Sequence, residues 1–406
     1  MINTTPNFSW ISYLRWMAVT TLAAIAIVGT FNVLVDPLGV FGSPRISGFN
    51  ATKPHLDHHR ELSHWQAAHR LCPNVGIFGN SRAEIGFDPH NPIFENRGFS
   101  AFNHAIPGTA ASLAYNQLLW LQAANCMPKT IILNVEFFDF LGGSPTRSLP
   151  TVETAPPPRI DGRLLAEAVF SITGFRDSIN TFLLQFSRYP ATLTNRGFNP
   201  LYNYTPEVRQ NGHYVLFRQR AEENIRNWTR KAPRLQPAEG IISEDEQMVD
   251  AILTLATASD STVHVVIYPY HAEIRMLIER LDLGGLFADW KKSIVNIAAR
   301  HTEQGQKIEV WDFSGITQET LEAIPKPGDR NSQLTYYWEA GHFKKALGDL
   351  MIARILGDQN TFGVNLNKGN VTNWLIEDRT RVQVLLTAPS PLLIEVDDLF
   401  ANQSKK

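Results

Sequence analysis

Val75-Gly76-Ile77-Phe78-Gly79-Asn80-Ser81-Arg82 is the stretch on which the reading of this chain turns. Its first four residues form an apolar run with the length and composition of a buried strand. Gly79 and Asn80 then make a small-residue turn, and a helix-like stretch follows from Ser81. A strand, turn and helix in this order lift a serine hydroxyl off the end of a sheet and expose it as a nucleophile. Far downstream, Glu339-Ala340-Gly341-His342 offers a histidine with a carboxylate three residues before it, on a loop just ahead of a helix. An acid, a histidine and a serine brought together make a site for ester chemistry whatever their order in sequence.

The surroundings of both segments read as α/β. After the serine turn come a second turn at Ala105–Gly108, a helix from Ala111 to Ala124, and Thr130–Val135, a strand apolar enough to be buried on both faces. Later, a helix from Glu244 to Ala258 precedes strand Val263–Tyr268. A helix-rich stretch from Ala272 to Arg300 precedes strand Lys307–Phe313, and helix Lys344–Leu356 follows the histidine loop. The alternation predicts an α/β fold with a three-layer, doubly wound parallel sheet, occupying residues 73–358. Residues 143–240 break the rhythm. They hold Pro156-Pro157-Pro158, many aromatics and many arginines, and are expected as a helical or irregular insertion over the sheet edge where ligands of such folds bind. Trp228, Tyr202 and Tyr204 in this insertion suit either stacking on sugars or packing. The tail 359–406 carries no chemical signal, and an edge strand is expected at Val382–Leu386. No internal repeat is present.

With 406 residues the chain can bury a full core. A formal net charge of −2 argues against a nucleic-acid binder, which normally shows a basic excess or stripe. The two cysteines, Cys72 and Cys126, sit beside core elements and are expected as buried free thiols, since a single bridge requires an oxidising compartment. From Trp16 to Val35 no residue is charged. Twenty residues rise about 30 Å as a helix, enough to cross the hydrocarbon core of a bilayer. The run lacks a small-x-small cleavage pattern at its far end and is read as an uncleaved anchor behind a short tail, residues 1–15. Arg15 favours a cytoplasmic N-terminus and export of the rest. In the connector 36–72, His55, His58 and His59 share one helical face, but Asp57 and Glu61 do not complete a ligand set. A solvated or interfacial face is expected there, and no metal.

Gly79-Asn80-Ser81 resembles the Gly-Asp-Ser block of the SGNH (GDSL-type) hydrolases, and His342 resembles the histidine of their Asp-x-x-His block. The strings Gly79–Pro89, Phe102–Gly108 and Tyr336–Ile355 are similar to a bacterial, membrane-anchored, envelope-facing subgroup, with a layout like that of the DltD family. The resemblance implies Ser81 as nucleophile, His342 as base, Glu339 as the orienting acid, and the backbone of Ser81 and Gly108 as oxyanion donors, with no metal or organic cofactor. It further implies a protein of the bacterial inner membrane, single-pass through residues 16–35, with its main domain periplasmic or extracellular. Ester hydrolysis or acyl transfer on an exported glycan, through acyl-Ser81, is the expected chemistry. The alternative is a catalytically silent scaffold that binds polysaccharide or a membrane acyltransferase partner.

Two departures bear on this. The acid is Glu339 rather than Asp. The family's oxyanion asparagine falls on Glu136, whose charge would oppose an oxyanion. Either Glu136 is protonated, or it turns toward Arg82, or Asn134 or Asn103 supplies the donor, or the site does not hydrolyse. Arg82, Glu136 and His271 are candidate substrate contacts; Arg82 also suits a structural pairing with Glu136, while His271 and Asp312 also read as ordinary polar strand ends. Asp139 reads as a loop cap.

Overall fold

The computed structural model describes residues 9–403; the remainder of both expected tails lies outside the described residues. Along the chain come α1 (Trp10–Val35), α2 (Arg60–Leu71), β1 (Val75–Phe78), α3 (Ser81–Gly86), α4 (Pro92–Asn96), β2 (Ala101–Asn103), α5 (Ala111–Ala123) and β3 (Thr130–Val135). Helices α6 (Gly162–Phe170), α7 (Ile172–Leu184), α8 (Thr205–Thr229) and α9 (Glu244–Ala258) lead to β4 (Thr262–Ile267). Then follow α10 (Ala272–Arg280), α11 (Gly284–Thr302), β5 (Ile308–Asp312), β6 (Tyr337–Glu339), β7 (His342–Phe343), α12 (Lys345–Ile355), β8 (Val364–Leu366), α13 (Val371–Thr387) and α14 (Pro391–Gln403).

Two compact units result. One comprises the chain up to Gln66 together with Pro158–Leu193; the other comprises Ala67–Pro157 and the chain from Thr194 onward. The segment expected as one insertion is therefore divided between them. In the first unit α1, α6 and α7 pack on one another. Leu38, Val40, Leu62 and Ala168 form a small core there. Among the described residues α1 is the one helix long and apolar enough to cross a membrane. It begins at Trp10, ahead of the apolar run, with the Ser9 hydroxyl accepting from Ser12 N–H.

In the second unit six strands form one sheet among the described residues, in the order β2-β1-β3-β4-β5-β8. The first five are parallel, and β8 runs antiparallel at the edge. β1, β3 and β4 are buried along nearly their whole length, which is why they read as unbroken apolar runs rather than alternating ones. The order reverses at β1, since the chain steps outward to β2 and then crosses back to β3. Open parallel sheets bind ligands at such a reversal, beyond the carboxyl ends of the strands. Ser81 lies there.

Two expectations are corrected. Val382–Leu386 is not a strand but the end of α13, and the edge strand is β8. Leu375 and Val382, two turns apart, are buried, and Leu385 and Leu386 pack on the cluster formed by Met276, Leu277, Val396 and Leu399. That spacing is helical, although the local run is apolar enough for a strand.

The cysteines are not free: Cys72 and Cys126 form a disulfide with their Cα atoms 4.9 Å apart. The cause is the parallel register. Cys72 comes just before β1, Cys126 just before β3, and Val75 pairs with Thr130. The bridge closes a loop of 54 residues, a constraint on the unfolded chain worth about 4 kcal/mol in the loop-entropy account. Replacing both cysteines by serine is expected to lower the unfolding free energy by about 2–4 kcal/mol, read as a shift of the urea midpoint. An unchanged midpoint would mean that the bridge adds no stability.

Candidate active site

Gly79 leaves β1 with φ 155°, and no side chain fits there. A β-carbon would lie 2.6 Å from the Tyr268 hydroxyl and 2.9 Å from Asn134 Cβ. Asn80 is held by the Tyr268 hydroxyl, which accepts its backbone N–H at 3.3 Å, and it caps α3 by accepting Arg82 N–H at 3.1 Å. Ser81 is thereby the first residue of α3 and is half-buried. Its own amide opens the helix, a position with no intrahelical acceptor.

His342 is brought to Ser81 by a close crossing of two elements. A β-carbon on Gly348 of α12 would overlap the carbonyl of Gly86 in α3, and one on Gly86 would overlap the ring of Phe343. With the backbones in contact, the Ser81 hydroxyl lies 2.9 Å from His342 Nε2. The other imidazole nitrogen, Nδ1, is in short contact with Glu339 Oε1. An ionised carboxylate only accepts, so Nδ1 carries the proton and Nε2 is left to accept from the serine.

Glu339 is only 2% exposed. Burial by itself pushes its carboxyl up. The neighbouring His342, the Arg220 guanidinium at 3.2 Å and the Gly341 N–H at 2.5 Å outweigh burial and take it to about 2. The Glu339 carboxylate also pushes the Tyr204 phenol, already raised by burial, to about 12. Arg220 comes from α8, within the stretch that gave no rhythm, and nothing in the spacing marked it.

The second carboxylate, Glu136, follows β3. It is ion-paired with Arg82, whose guanidinium also lies 5.8 Å from the Tyr268 ring centroid and 5.6 Å from that of Tyr270. It accepts from the Tyr270 hydroxyl at 3.2 Å and from the Asn80 side chain at 3.1 Å. Of the alternatives open for Glu136, the turn toward Arg82 is the one present. Arg82 Nε donates to the Gly341 carbonyl at 2.6 Å, tying the serine helix to the histidine loop.

Other expected positions are differently engaged. Asn134, expected as an oxyanion donor, instead directs its amide to the carbonyl of Phe78 at 2.9 Å, at the end of the neighbouring strand β1. Asn103 likewise donates to Ala83 and Phe87, both at 2.8 Å. Gly108 sits in an exposed left-handed turn, φ 73°. The next residues, Thr109–Ala111, line a narrow cleft with Gly79, Asn80, Glu136 and Asp139.

His271, expected to contact substrate, is 1% exposed and caps α10. Its Nδ1 accepts Glu273 N–H at 3.2 Å and its Nε2 meets the Glu322 carbonyl at 2.9 Å. Burial lowers it to about 4, which keeps the ring neutral. Asp312 is enclosed with Lys291 Nζ at 2.7 Å and Trp374 Nε1 at 2.8 Å. Trp228 stacks on Phe138, ring centroids 3.7 Å apart, and Tyr204 meets Trp338 edge to face.

Among the described residues of the first unit, His55, His58 and Asp177 lie close enough together to hold a metal ion. Each imidazole lies 4.0 Å from an Asp177 carboxylate oxygen, and His58 is more than half exposed. The acid that Asp57 and Glu61 did not supply thus comes from α7. Set against known proteins, the chain matches no family model, no curated protein and no solved structure.

The Glu339 carboxyl gives a pH test. Its folded value lies below the ordinary 4.5, so its stabilisation is present above pH 4.5 and is lost as pH falls toward 2. Between pH 5 and pH 2 the wild type should lose on the order of 3 kcal/mol more than Glu339→Gln, measured by urea unfolding across that range. Parallel losses in the two proteins would show that Glu339 is not held ionised by the fold.

Proposed function

We propose that this chain is a membrane-anchored serine esterase or O-acyltransferase with the three-layer SGNH arrangement, acting on an exported or cell-surface glycan. The observation that carries the reading is the continuous contact from Ser81 through His342 to the buried Glu339 at the strand-order reversal. In this reading Ser81 Oγ attacks an ester carbonyl while His342 Nε2 takes its proton. Glu339 orients the ring and stabilises the imidazolium. The oxyanion is met by the Ser81 N–H and by an N–H of the Gly108 turn. Collapse of the tetrahedral species releases the alcohol, protonated by His342, and leaves acyl-Ser81. Water or a sugar hydroxyl then attacks, giving hydrolysis or transfer, and the proton returns to Ser81.

The anchor in this reading is α1, in the bacterial inner membrane, with the sheet-bearing part periplasmic or extracellular. The Cys72–Cys126 bridge supports export, because such bonds persist in oxidising compartments. A second reading, the silent scaffold that binds polysaccharide or an acyltransferase partner, is favoured by one observation. The amides of Asn80, Asn103 and Asn134 are all committed to the fold.

Fluorophosphonate labelling of the full chain separates the two. The wild type is expected to label, and Ser81→Ala and His342→Ala to lose labelling. Glu339→Gln should slow it roughly 10²–10⁴-fold, as loss of the orienting acid does in serine enzymes. Folded wild-type protein that stays unlabelled would overturn the enzyme reading in favour of the scaffold.

A further inference from the structure

Helix α1 is bare for only part of its length. From Trp10 to Ile27 every residue is exposed, a rise of about 27 Å, close to the thickness of a hydrocarbon core, and Arg15, near the start of this stretch, is placed to snorkel its guanidinium to the headgroups. From Val28 onward its own unit clasps it. A β-carbon on Gly29 would lie 3.1 Å from Val169 and 3.3 Å from Phe170, at the corner between α6 and α7. Asn32 donates its amide to the Val169 carbonyl at 2.9 Å, and the rings of Phe31 and Phe175 meet with centroids 6.0 Å apart. Below the corner, buried Lys53 donates to the carbonyls of Val35 and Asp36, a cation at the negative end of the α1 dipole. The corner is thereby fixed beside the last turns of α1.

That corner and the helix leaving it carry large apolar side chains the protein does not cover. Phe170 is 62% exposed, Ile172 88%, Leu183 60% and Phe186 74%. On α7, Ile172, Ile179 and Leu183 fall at spacings of seven and four, so they share one face, and Phe186 continues it. Water-soluble surfaces rarely hold so large an apolar patch. The patch is continuous with bare α1, because Phe170 lines one apolar recess with Ala24, Ile25 and Val28. Arg176, which that spacing puts on the same face of α7, and Arg188, two residues past Phe186, are exposed cations suited to lipid phosphates.

We infer that the α6–α7 corner and the outer face of α7 lie in the membrane boundary from which α1 emerges, with Phe170 and Ile172 among the acyl chains. The occupant of this face is lipid. The inference rests on α1 being a membrane span. It makes the attachment a span plus an interfacial helix, which fixes the tilt and rotation of the first unit on the bilayer rather than leaving it on a single swivelling stem.

The test uses the full chain in phospholipid nanodiscs, with a nitroxide on single added cysteines, Ile172→Cys and Leu183→Cys. Ile25→Cys serves as reference for the span and Gln359→Cys as reference for water. Cys72 and Cys126 are bonded to each other and take no label. Collision with oxygen, which concentrates in lipid, is compared with collision with a water-soluble nickel chelate. Oxygen-favoured collision at positions 25, 172 and 183, reversed at 359, is the expected result. Nickel-favoured collision at 172 and 183 with oxygen-favoured collision at 25 overturns the inference and leaves the span standing. Nickel-favoured collision at 25 as well overturns both.

Discussion

The site depends on one place where the chain cannot carry a side chain. At Gly79 the Tyr268 hydroxyl, Asn134 and Ala83 close in from three sides, and only a hydrogen at Cα fits. That closeness is what lets the Tyr268 hydroxyl take the Asn80 N–H and lets Asn80 cap α3, so that Ser81 opens a helix at the carboxyl end of β1. The contact of Gly86 with Gly348 is the matching constraint on the other partner. It lets α12 approach α3 and seats Phe343 over Gly86, so the neighbouring His342 meets Ser81. Residues 261 positions apart in sequence are thereby placed by backbone contact rather than by long side chains.

The charges follow from the same geometry. Among the buried carboxylates, Glu339 and Glu136 flank the serine and histidine turns, and each has its own guanidinium: Arg220 for Glu339 and Arg82 for Glu136. The Gly341 peptide joins the two pairs, its N–H on Glu339 and its carbonyl receiving Arg82. A buried carboxylate without a partner would be costly and would take up a proton. Paired in this way, Glu339 stays ionised for the imidazole, while Glu136 has its charge met before any oxyanion could form nearby.

Much of the sheet was legible because its strands are buried on both faces. Val75–Phe78, Thr130–Val135 and the run ending near Ile267 carry no alternation to confuse, and short turns punctuate them. The serine turn and the acid-x-x-His loop were legible because each is local in sequence. What escaped was set by distance. Nothing near Cys72 tells that Thr130 will pair with Val75 and so bring Cys126 alongside. Arg220 and Asp177 lie on helices in a stretch without rhythm, and their partners are fixed only by tertiary packing. His271 and Asn134 read as available because their residue types suit binding; each faces main-chain groups that no spacing reveals. In Val382–Leu386 a short apolar run fitted strand and helix equally, and only burial of Leu375 two turns earlier decides it.

The two sides of the site are unequal in a way that bears on its chemistry. In the proposed reading the nucleophile and base are Ser81 and His342, which lie in hydrogen-bond reach and are supported by a buried, ionised acid. In the same reading the oxyanion would rest on main-chain N–H groups, because the amides of Asn80, Asn103 and Asn134 are tied to carbonyls or to Glu136. One missing donor costs roughly 3 kcal/mol, a slowing of about 10²-fold, not an abolition. In the proposed reading Arg82, by meeting the charge of Glu136, reduces the electrostatic opposition that an oxyanion would otherwise meet there.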